Sequence, residues 1–196
     1  MAATSFEGLC QAVRGCRSCA AMNHVHVLSH ANGPLDSDVL FVAEAPGRLG
    51  AARTGVPLTS DVAGRRFATF LAQAGLGRER VFVTNAVLCN PLTAGGLNRR
   101  PARPEVTECS RFLREQLELV RSLVVVALGA VALDALRLID PHDLVLARDV
   151  GRNVPWAART LVALYHPAAR STVARSHEQQ LADWRAPGRL AQGVGV

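Results

Sequence analysis

A chain of 196 residues, 49% of them hydrophobic, suits one domain with a sizeable core and excludes a generically disordered protein. Its net charge of +6 rests on 22 arginines, since the sequence contains no lysine, and the excess favours a polyanionic partner. Aromatic residues make up only 5%, too few for an extended base-stacking platform. No apolar run reaches membrane-spanning length and no basic segment precedes an apolar stretch at the N-terminus, so a cytoplasmic protein is expected, with no membrane partner.

Taken in chain order, residues 1–30 read as an N-terminal arm that carries Cys16 and Cys19 in "GCRSCA". Residues 38–44, "DVLFVAE", form a short apolar, β-branched run that reads as a strand buried on both faces. The strand runs out at Glu44-Ala45-Pro46-Gly47, and a long loop, "EAPGRLGAARTGVPLTSD", leads to Asp61. A loop of that length in a compact chain is either functional or disordered. Residues 61–76 then place Phe67, Phe70, Leu71 and Ala74 on one helical face and stop near Gly75 and Gly77.

The second strand, "RVFVTNAV" at 80–87, carries Asn85 near its end, and Cys89 follows it. A loop bearing Arg99 and Arg100 leads into a helix over 103–122, which opens with Pro104 and Glu105. Val106, Cys109, Phe112, Leu113, Leu117 and Val120 make its apolar stripe. A third strand at 122–129 runs directly into the helix "GAVALDALRL". A fourth at 159–167 ends in Tyr165-His166-Pro167, and "RSTVARSHEQQLADW" reads as the last helix. Residues 186–196 are expected to be a flexible tail.

Strands alternating with helices indicate a parallel sheet covered on both faces, an α/β/α sandwich. Functional loops in such a sheet lie at the carboxyl ends of its strands. Glu44, Asn85 and His166 are therefore expected on one edge. The lone glycine in "ALGAVAL" reads as close helix packing rather than nucleotide binding. Five cysteines in an intracellular chain are not expected in disulfides. Cys10 reads as a buried small hydrophobe. The pair Cys16 and Cys19, with Cys89 and Cys109 brought in from elsewhere, suits a tetrahedral zinc or a four-iron cluster, and sequence does not separate the two. His24, His26 and His30 lie close enough to keep a mixed zinc site open, although solvated loop positions are the default for them.

The ordered segments "EAPG", "RTGVPLTSDVAG", "VFVTNAVLCNP…NRRPARPEVTECSRFL", "VVVALGAVAL" and "YHPAAR" resemble the uracil-DNA glycosylase superfamily, in its iron–sulfur branches, over roughly residues 7 to 184. The resemblance implies one domain, α/β, a three-layer α/β/α sandwich with a central four-stranded parallel sheet. It implies a monomer that acts on DNA, hydrolysing the N-glycosidic bond of uracil or another deaminated base flipped from the stack. A 4Fe-4S cluster would be held by Cys16, Cys19, Cys89 and Cys109, with zinc as the alternative. Asp61 and His166, with Glu44, would form the catalytic group, and Ala45, Pro46, Gly47, Leu58 and Asn85 the base pocket. Arg99, Arg100, Arg170 and Ser171 would meet DNA.

Two departures stand out against that resemblance. Leu58 takes the place of a phenylalanine that stacks on the base, which leaves Phe67 and Trp156 as other aromatics for the role. The segment "RLGAA" has no carboxylate where one branch carries it, whereas Asp61 matches the acid of the other. Asp61 is also well placed to cap a helix, and Glu44 to pair with a loop arginine. A catalytically inactive member that binds DNA or damaged bases is the alternative reading.

Overall fold

The computed structural model describes residues 5–193. Helix α1 (Phe6–Gly15) is followed by β1 (Met22–His26), β2 (Val39–Ala43), the short α2 (Ala51–Thr54) and α3 (Val62–Gln73). After these come β3 (Val81–Asn85), β4 (Cys89–Pro91), α4 (Arg103–Leu119), β5 (Val124–Leu128), α5 (Ala130–Arg137) and α6 (Leu146–Asp149). The chain closes with β6 (Asn153–Trp156), β7 (Arg159–Leu164), α7 (His177–Asp183) and α8 (Arg185–Ala191). No described helix is long and apolar enough to cross a membrane.

The main sheet runs β3-β2-β5-β7-β6. Its four parallel strands are those expected, but the sheet has five strands, because β6 adds an antiparallel edge against β7. β2, β3 and β5 are buried at every residue, which matches their unbroken apolar runs. Leu40, Val42, Phe82, Val125 and Ala127 face α1, α4 and α5, while Phe41, Val83, Val126 and Leu164 face α3 and the C-terminal helices. β1 and β4 pair separately as a two-stranded ribbon.

Both chain ends carry helices. Within the N-terminal arm, Ser5 Oγ caps α1 by accepting the Gly8 N–H, and Phe6, Leu9, Cys10 and Val13 are buried along one side of the helix. Residues 185–191, largely assigned to a tail, form α8. Trp184 ahead of it is fully buried, 5.3 Å from the Phe41 ring in near-parallel stacking and 5.5 Å from Phe67 edge-on. Gly188 meets the end of α3 so closely that a Cβ would fall 2.1 Å from the Ala74 carbonyl oxygen. Composition misleads here, because glycine and proline serve a helix start and a close contact instead of disorder. The last part of the expected tail, 194–196, lies outside the described residues, as do residues 1–4 of the arm.

If α8 is seated as described, Gly188→Ala overpacks the contact and lowers stability by about 1–3 kcal/mol in urea unfolding. An unchanged midpoint would show that α8 does not dock there.

Candidate active site

Parallel register decides what meets at the carboxyl edge of the sheet. Ala43 pairs with Asn85, Val42 with Ala127, and Leu128 with Leu164. Glu44, Asn85 and His166 consequently emerge together around a cavity of about 340 Å³, which lies at the small end of the ~300–1,000 Å³ range of ligand sites. Ala45, Pro46, Gly47, Leu58, Asp61, Arg99, Arg100 and Arg170 also line it. Ser171 does not, although its N–H closes the turn onto the Ala168 carbonyl.

Asn85 forms the floor. It is 3% exposed, and its Nδ2 is a buried donor with no acceptor among the described residues. A buried orphan donor is costly unless something fills the role, so this amide is preset for a ligand acceptor. His166 stands on the wall with Nδ1 accepting the Ala168 N–H at 3.1 Å. That bond commits the Nδ1 lone pair and leaves Nε2 to carry the proton of a neutral ring. Burial, aided by the positive Arg170, pushes the imidazole down to about 4 from its ordinary value near 6.5.

Asp61 caps a helix and also lines the cavity. Oδ1 caps α3 by accepting the Gly64 N–H at 2.8 Å, while Oδ2 lies against the glycines of the loop. A Cβ would sit 2.5 Å from that oxygen at Gly50 and 3.3 Å at Gly47. Only bare backbone therefore lets the carboxylate approach at Gly50. Glu44 instead faces Arg170, with Oε2 and Nη2 3.7 Å apart. Burial raises its carboxyl above the ordinary range, and Arg170 and Arg100 offset part of the rise.

The loop between the two acids is ordered. α2 interrupts it and ends at Gly55 in the left-handed region (φ +73°). Leu58 and Ser60 also have positive φ, +48° and +64°, a strained backbone for residues of these types. Leu58 lies between the cavity and the apolar cluster around α3, against which it packs. Neither Phe67 nor Trp156 reaches the cavity: Phe67 packs on Phe41, and the Trp156 indole N–H donates to the Asp140 carbonyl. No phenylalanine, tyrosine or tryptophan appears among the described lining residues.

The arginines divide. Arg99 turns inward onto Glu105 in a bidentate pair at 2.6 and 2.7 Å and also donates to the Ala21 and Leu92 carbonyls. Arg100 and the exposed Arg170 are at the rim. Sequence reasoning missed Asn90 and Asn98, which line the cavity as well. The signal for Asn90 was its place directly after Cys89 on a strand, where neighbours face opposite ways.

Cys16, Cys19, Cys89 and Cys109 line a second cavity, ringed by Val13, Met22, Val87, Leu88 and Phe112. Burial, followed by the neighbouring thiols, drives Cys89 up to about 12, and burial with the same neighbours does so for Cys109. Thiolates that repel one another in an apolar cage fit a cationic metal centre, which would hold all four deprotonated. Leu88 N–H donates to Cys109 Sγ at 3.4 Å, and Arg111 lies 3.6 Å from Cys16 Sγ. His24 and His26 are not loop histidines in open solvent. Both line the cage, and their ring nitrogens lie within 4.8 Å of each other and of the Cys89 sulfur.

Comparison with known proteins agrees with this geometry. The profile of the uracil DNA glycosylase superfamily matches residues 30–186. A type-4 uracil-DNA glycosylase of Archaeoglobus fulgidus is 30% identical over 191 residues, covering 95% of this chain and 93% of the relative. The type-4 enzyme of Thermotoga maritima is 30% identical over 83% of this chain and 81% of its own length. A type-5 uracil-DNA glycosylase of Pyrobaculum aerophilum is 33% identical over 69% and 63%.

A neutral His166 has a measurable consequence. In a histidine NMR titration its ring is expected to protonate near pH 4, not 6.5. Since the unfolded chain binds that proton first, the associated stability is intact above pH 6.5 and declines as pH falls toward 4. A midpoint at or above 6.5 would contradict the neutral ring.

Proposed function

Because the chain belongs to the uracil DNA glycosylase superfamily, we propose that it is a monofunctional DNA glycosylase that hydrolyses the N-glycosidic bond of uracil, and of related deaminated bases, extruded from DNA. The observation that carries the reading is the orphan Nδ2 of Asn85 in a cavity that a neutral histidine also lines. An asparagine amide offers a donor and an acceptor, which suits the O4 and N3–H of uracil.

The chemistry follows from where charge develops. As the glycosidic bond breaks, its electron pair leaves with the base, which becomes an anion, while the sugar gains oxocarbenium character. His166 donates a hydrogen bond from Nε2–H to the base oxygen that acquires charge. The Asp61 carboxylate stabilises the oxocarbenium and orients the water that adds to the sugar carbon, taking up its proton. Asp61 is favoured over Glu44 because Glu44 is paired with Arg170 and raised by burial. Arg100 and Arg170 suit phosphates beside the extruded nucleotide, consistent with the net charge. The protein would act as a cytoplasmic monomer.

A four-iron cluster held by Cys16, Cys19, Cys89 and Cys109 would supply structural cross-linking of the N-terminal segment to β4 and α4. The donor set also admits zinc, helped by His24 and His26. One visible spectrum of freshly purified protein separates them: an iron–sulfur band is expected, and colourless protein with stoichiometric zinc would overturn the cluster.

A second reading, a binder of damaged DNA that does not cleave, is favoured by Leu58 and by the lack of phenylalanine, tyrosine or tryptophan among the described lining residues. A labelled oligonucleotide with a single uracil, incubated and then treated with alkali, decides between them. Strand scission is expected, and His166→Ala and Asn85→Ala should each reduce it by roughly 10²–10³-fold with the fold retained. Tight, salt-sensitive binding without scission of uracil, hypoxanthine or xanthine substrates would establish the second reading instead.

A further inference from the structure

The active-site cavity and the thiol cage share the strand β4, and adjacent residues of that strand serve one each. Cys89 lines the cage, and Asn90 lines the cavity. Asn90 is 1% exposed and its amide is fully engaged. Nδ2 donates to the Pro46 carbonyl at 2.5 Å and to Asn98 Oδ1 at 3.1 Å, and Oδ1 accepts from Asn23 Nδ2 at 3.3 Å. Asn98 Oδ1 also accepts the Arg48 N–H at 3.0 Å. One side chain thereby joins β1, the loop after β2 and the turn that precedes the arginine pair.

We propose that Asn90 is a positioning residue for base excision: it fixes the Pro46–Gly47 peptide, and with it one wall of the pocket, to the strand that holds the metal cage. The inference rests on the glycosylase reading above. A peptide unit is planar and trans, so holding the Pro46 carbonyl also sets the direction of the Gly47 N–H on its far side. No described residue accepts from that N–H. Asp61 Oδ2 lies against the same stretch, so a rotation at Pro46–Gly47 disturbs the seat of the carboxylate as well. Two donors on one short planar group are needed, which serine cannot provide and aspartate would reverse.

A merely structural asparagine would be felt in stability and metal retention. A positioning asparagine is felt in turnover and in the order of one loop. Asn90→Ala is therefore compared with the wild type for kcat and KM on a single-uracil duplex, for metal content, and for backbone hydrogen exchange over residues 44–50. The expected result is a kcat lower by roughly 10- to 100-fold with KM within about twofold, metal content retained, and faster exchange over 44–50. Asn98→Ala keeps the Pro46 bond and should give a smaller loss of kcat. A kcat within about twofold of the wild type, unchanged exchange, or a fall in kcat matched by loss of metal overturns the proposal.

Should Asn90→Ala fail to fold, the near-isosteric Asn90→Asp, which keeps the acceptor for Asn23 and removes both donors, carries the test. Faster exchange at 46–50 with full metal content supports the link, and unchanged exchange overturns it. If the wild type itself releases no uracil, the glycosylase reading fails, while the exchange comparison still decides whether Asn90 holds the loop.

Discussion

The pairing of Ala43 with Asn85, at the carboxyl ends of two parallel strands buried on both faces, governs where every polar group of the site stands. A strand covered on both sides has no place for a charged side chain along its length, so the chemistry must begin where the strand ends. A slip of one residue would exchange the sides on which Phe41 and Val42 lie and carry Asn85 out of reach of His166. The aromatic packing of Phe41, Phe67 and Trp184 opposes such a slip, since it fits only one register. Core and site are in this sense one constraint seen from two ends.

The four parallel strands and the convergence of Glu44, Asn85 and His166 were legible because apolar runs of strand length announce burial, and burial ends abruptly at polar residues. β6 was not legible: "NVPW" is short, contains Pro155 and is largely exposed, so only its partner β7 makes it a strand. Asp61 could be read as cap or as pocket acid, and its two oxygens divide the work. The fates of Arg99 and Arg100 could not be read, because adjacent arginines in a loop have no periodicity to tell inward from outward. Asn90 escaped notice for a related reason, since its partners lie in segments 67, 44 and 8 residues away.

The electrostatics of the cavity are uneven in a useful way. The cavity lining offers a ring kept neutral by burial and by a backbone donor, and an acid whose second oxygen lies against glycine backbone. Glu44 is drawn off toward the arginine rim, where Arg170 offsets part of the cost of burying its charge. Leu58 and Ser60 hold backbone conformations that cost of order 1–3 kcal/mol each, and strain of this kind persists only where the surroundings enforce it. Here the enforcement comes from Leu58 lodging against the core beneath α3.

Helix α3 behaves as a short beam supported at both ends. Its twelve residues span about 18 Å, with the Asp61 carboxylate fastened at the first turn and the Ala74 carbonyl wedged against Gly188 beyond the last. The seat of the C-terminal segment and the seat of the acid are thus the two ends of one element, so α8 and the active-site loop share α3 as a common support.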